Sequence, residues 1–81
     1  MILVDKNSTE RRIVMTNSDM LKEAVKNKGL KKTYIAQCLG ISPQGYYKKE
    51  NGMSEFTASE IQIMRDILGL SHRAVKDIFL S

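Results

Sequence analysis

Eighty-one residues make one small domain, and the single cysteine, Cys38, leaves no internal disulfide to reinforce it and fits a reducing compartment. A hydrophobic fraction of 42% is ordinary for a packed chain, so disorder is not expected; no apolar run is long enough to span a membrane. The formal net charge of +4 is modest, so what it implies depends on where the charges sit.

Residues 1–15 hold two short β-prone runs, Ile2 to Val4 and Arg12 to Met15, separated by the polar stretch Asp5 to Glu10. A hairpin, strands added across a dimer and a loose peripheral arm all remain open for them. Ile2 to Val4 is too short for the core of a signal peptide and is followed at once by Asp5 and Lys6. A soluble, cytoplasmic protein is expected, with residues 1–16 as an arm and 17–81 as the domain.

The first helix is expected to begin at Ser18 as cap, with Asp19 favourably placed at the positive helix end. Leu21, Ala24 and Val25 form its core stripe, Met20 flanks it, and Gly29 ends it with Leu30 just beyond. Lys31 then stands where a cap is wanted, and Thr33 comes two residues late. Ile35 and Leu39 share one face of the next helix, with the small Ala36 beside them allowing a close crossing. Gly40 closes that helix, Ile41 plugs the corner, Ser42 caps a third helix, and Pro43 fits its first turn. Two short helices meeting at so tight a corner have the layout of a helix-turn-helix.

Phe56 is expected in the core, and Thr57 to Glu60 reads as a capping box. Ile61, Met64, Ile67 and Leu68 then line one helix face, with Ile63 beside them, until Gly69. Ser71 caps a last helix whose apolar residues are Ala74, Val75, Ile78 and Phe79. The fold class expected is all-α, five helices in one globule.

Residues 22–49 carry seven lysines against Glu23 alone, a net +6, whereas residues 50–81 carry three cations against five carboxylates, a net −2. The basic excess coincides with the two short helices and their approach, which points to a polyanion partner over a merely solvated lysine face. The third helix would present Ser42, Gln44, Gly45, Tyr47 and Lys48 outward. Gln44 suits a bidentate amide pair with adenine, and Tyr47 a phosphate or a thymine methyl. Lys48 suits phosphate. Gly45 costs about 1 kcal/mol relative to alanine inside a helix, so a close approach, by DNA or by another helix, would explain it. Tyr46 is expected in the core with its hydroxyl at the edge, and Lys32 and the amides beside it are placed to pin a backbone phosphate.

From Leu21 to Gly52 the chain resembles the lambda repressor/Cro-like helix-turn-helix family. The residues that carry the likeness are Leu30, Ile35, Ala36, Leu39 to Ser42, Tyr46 and the closing Glu50, Asn51 and Gly52. The continuation Ser54 to Ile61 looks like small Cro- or repressor-like proteins of Gram-positive prophages, and the likeness covers about residues 17–80. It implies a sequence-specific transcriptional regulator that binds double-stranded DNA as a homodimer on a near-palindromic operator, with Phe79 and Leu80 or the arm as the dimer surface. The DNA-facing set is expected to be Lys32, Thr33, Ser42, Pro43, Gln44, Gly45, Tyr47, Lys48 and Asn51, with Arg11 and Arg12 as a possible arm contact. Lys49 departs from the family, which commonly has an apolar or aromatic residue there. Either its stem packs while its amine reaches solvent, or the helix seats differently, with Tyr46 and Met53 filling the space.

An interaction module of the same fold, such as an antitoxin, antirepressor or adaptor, is the alternative; the lysine cluster argues against it. His72 lacks partners at metal-ligand spacing, Cys38 has no base beside it, and the carboxylates are scattered as caps or surface charges. No enzyme, metal, cofactor, small-molecule ligand or membrane association is expected.

Overall fold

In the computed structural model of the chain, residues 16–80 are described. The arm of residues 1–15, with Arg11 and Arg12, lies outside them. Five helices follow one another: α1 Ser18–Lys28, α2 Lys32–Leu39, α3 Pro43–Glu50, α4 Ala58–Leu68 and α5 His72–Phe79. Among the described residues there is no strand, and no helix is long and apolar enough to cross a membrane. The all-α, five-helix expectation holds.

The core gathers Leu21 and Val25 of α1, Ile35 and Ala36 of α2, Tyr46 of α3, the loop residue Phe56, Met64 and Leu68 of α4, and Ile78 and Phe79 of α5. Burying an aliphatic or aromatic side chain of this size stabilises by about 1.5–3 kcal/mol relative to leaving it in water. Phe56 stands edge-on to both Tyr46 and Phe79, with centroids 6.4 and 5.2 Å apart, and so joins α3 to α5. α1 meets α3, α4 and α5, while α2 rests on α3 and α4. The Asn17 amide also donates to the Ile78 carbonyl at 2.6 Å, tying the start of the domain to the end of α5.

Phe79, expected on a dimer surface, is therefore a core residue at 2% exposure, whereas Leu80 is left open to solvent. The cap of α1 also differs by one residue. Asn17 Oδ1 accepts from the Met20 amide, and Ser18 is already helical. An amide oxygen serves this position as well as a hydroxyl, so the shift leaves the helix register unchanged. The capping box at α4 is present in full, the Thr57 hydroxyl accepting from the Glu60 amide and the Glu60 carboxylate from the Thr57 amide.

Candidate nucleic-acid interface

The corner between α2 and α3 is three residues long. Gly40 adopts a left-handed backbone with φ 73°, which costs a residue without Cβ little. Its amide donates to the Gln37 carbonyl, and the Ile41 amide reaches back to the Ala36 carbonyl at 3.0 Å. Two of the four orphan carbonyls at the end of α2 are thereby satisfied in a Schellman turn. Ser42 then caps α3, its Oγ accepting from the Gly45 amide at 3.0 Å, with Pro43 at the first helical position. These bonds fix the angle at which α3 leaves the corner.

The buried side of α3 consists of Tyr46 and Glu50, one helical turn apart. Opposite them, Gln44, Tyr47 and Lys48 are exposed, Tyr47 by 57%, while Pro43 is exposed at the helix start. Gln44, Tyr47, Lys48 and Asn51 recur at helical spacing and make one stripe. Tyr46 is wholly inside, and its hydroxyl is not at the edge as expected; it donates to Glu50 Oε2 at 3.0 Å. Burial, the neighbouring Glu50 charge and that hydrogen bond all push the Tyr46 phenol well above its ordinary value.

Gly45 is half-buried, yet no second helix presses on it. A Cβ there would meet only its own corner, Ser42 Oγ at 3.3 Å and Ile41 Cβ at 3.8 Å. Helix–helix crossing is thus not what keeps this position small.

The lysines divide into two groups. Lys49 is turned inward: its ammonium lies 2.9 Å from Glu60 Oε1, 2.8 Å from the Glu55 carbonyl oxygen and 5.9 Å from the centre of the Phe56 ring. The stem packs as one of the two expectations had it, but the amine finds a carboxylate instead of open solvent. Met53, offered as a space-filler, is 65% exposed. Lys28 lies beside Gly69 at the C-terminal end of α4, where a cation faces that helix's negative end. These two contribute nothing to the outer face of α3.

Lys48 and Lys22 do contribute, and Lys32 is exposed at the start of α2. Lys32 opens α2 and donates to Glu50 Oε1 at 2.9 Å while its side chain stays 54% exposed. Lys31, at the cap position of α2, makes no side-chain cap bond, and Thr33 lies inside the first turn, exposed beside Lys32. Asn51 sits at the other end of α3. Its Nδ2 donates to the Tyr47 carbonyl at 2.8 Å, and its Oδ1 accepts from Lys22 at 2.8 Å. The Asn51 amide therefore holds a lysine, and Lys22 joins the stripe from α1. That lysine escaped the sequence reading because its partner is 29 residues away. Glu50 was given no functional role either, although its place four residues after the core Tyr46 is a local signal that puts it on the inward face of α3.

Cys38 is half-buried, His72 is exposed, and among the described residues no three His, Cys, Asp or Glu side chains gather at metal-binding distance. A family model described as helix-turn-helix matches residues 21–75, well over half of the chain. No curated protein and no solved structure matches it.

Proposed function

The chain belongs to the lambda repressor/Cro-like helix-turn-helix family and is a DNA-binding regulator of that kind, and we propose that it acts as a homodimer on a near-palindromic operator, in the manner of a prophage Cro protein. The observation that carries this reading is the outer stripe of α3: Gln44, Tyr47 and Lys48 stand exposed on a helix whose start is capped and whose opposite side is buried. A helix held in this way can enter a major groove without giving up a packing contact.

Within the groove Gln44, in the first turn of α3, pairs with adenine through its amide, and Tyr47 meets a thymine methyl or a phosphate. Gly45 lets the bases or backbone approach closely. Ser42 and Pro43 lie at the rim of the same contact, with Asn51 at its far end. Lys48, Lys32 and Lys22 neutralise phosphates around it, and the first-turn amides of α2 at Lys32 and Thr33, which no side chain caps, add backbone donors. One copy covers little DNA, so useful affinity calls for two, with half-sites about 34 Å apart. Leu80, exposed at the end of α5, is available to the second copy.

Selection of bound duplexes from a random pool tests the reading. Enrichment of one sequence with two-fold symmetry is expected; a bound pool no different from the input would contradict it.

A further inference from the structure

Glu50 is the one buried charged side chain among the described residues, with none of its surface open to water. Its two oxygens are matched separately, Oε1 by the Lys32 ammonium at 2.9 Å and Oε2 by the Tyr46 hydroxyl at 3.0 Å. Lys32 is different: its side chain remains 54% exposed, at the first turn of α2. An ammonium has three N–H donors, and Glu50 Oε1 takes one. The others are left for solvent or a ligand, on a residue in the first turn of a helix that no side chain caps.

A free surface lysine must give up rotamer freedom when it grips a phosphate, and that loss subtracts from its affinity. Lys32 has already given it up in folding, because a buried carboxylate that cannot be left unmatched holds its tip in place. Building on the proposed backbone contact of Lys32, we propose that Glu50 is a positioning residue for DNA binding: through Lys32 it holds a phosphate-gripping ammonium at the start of α2. The same pair ties the end of α3 to the start of α2, so the reading helix and the backbone grip share one anchor.

The two rival ideas about Glu50 differ in sign. By charge alone, Glu50→Gln removes a negative charge and should tighten binding to a polyanion. As a positioning residue its loss should weaken binding, although every lysine remains. The substituted glutamine would keep the size and an oxygen for the Tyr46 hydroxyl, so the replacement is close in shape.

The test compares wild type, Lys32→Met, Glu50→Gln and the double variant by fluorescence anisotropy with a random-sequence duplex of about two helical turns over a range of KCl, each below its own melting transition. Lys32→Met is expected to lower the log–log salt slope by about one unit. Glu50→Gln is expected to weaken binding several-fold and to move the slope towards that of Lys32→Met. The double variant should bind no worse than Lys32→Met alone, and it should melt higher than Lys32→Met, whose Glu50 is unpaired. Glu50→Gln binding as tightly as wild type or more so, or two losses that simply add, would overturn the positioning role. Failure of wild type to bind any duplex at low salt would instead overturn the DNA reading on which it rests.

Discussion

Lys49 and Glu60 meet across the α3–α4 junction at 2.9 Å, with their side chains only 16% and 13% exposed. The carboxylate that caps α4 is thus the same one that draws the end of α3 inward, and the Lys49 ammonium lies over the Phe56 ring. A pair this sheltered lies between the surface case, worth about 0–1 kcal/mol, and the buried one, where losing a partner costs about 3–5 kcal/mol. Lys49→Ala is expected to destabilise by about 1–3 kcal/mol in urea unfolding, and Lys49→Met by less, because methionine restores the packing.

The Glu60 carboxyl gives that junction a pH dependence. Burial pushes it up, but the Thr57 amide, the Lys49 ammonium and the Thr57 hydroxyl outweigh burial and hold it below the usual carboxylate range. Its stabilisation is therefore complete above the unfolded value of about 4.3, and is lost as pH falls through the lower folded value. Melting temperature is expected to drop on acidification through that window in wild type. In Glu60→Gln the drop should be shallower, since the group that titrates differently in the two states is gone.

Gly45 separates stability from recognition. Alanine there gains about 1 kcal/mol of helix propensity, and its methyl would meet Ser42 Oγ at 3.3 Å, close enough to offset part of the gain by nudging the cap. Gly45→Ala is expected to melt within a few degrees of wild type and yet to bind its selected duplex at least about tenfold more weakly, a loss of about 1.4 kcal/mol. Equal affinity would leave the glycine without the role assigned to it in DNA approach.

Much of the fold was legible because local signals agreed with one another. The glycines at 29, 40 and 69, the caps at Ser42, Thr57 and Ser71, and the apolar spacing of each helix all mark boundaries that the structure keeps. What the sequence hid were pairings set only by tertiary placement. Lys22 with Asn51, Lys32 with Glu50 and Lys49 with Glu60 join residues 29, 18 and 11 apart, and no spacing rule within a helix reports them. Lys49 shows the consequence: as one lysine among seven it counts towards a basic face, but its charge is spent inside the protein. Phe79 errs the other way, since a chain-end aromatic looks free until Phe56 is found against it.

The central claim, that the outer stripe of α3 reads DNA, is tested most directly by Gln44→Ala, Tyr47→Ala and Lys48→Ala combined in one chain. All three side chains are exposed, so the variant should fold, each change costing no more than about 0.5 kcal/mol in stability. Its affinity for the duplex selected by wild type, measured by anisotropy beside a melting curve, is expected to fall at least about 100-fold, since a lost base contact alone costs about 1–3 kcal/mol. A folded variant that still binds within about threefold of wild type, a difference of less than about 1 kcal/mol, would contradict it.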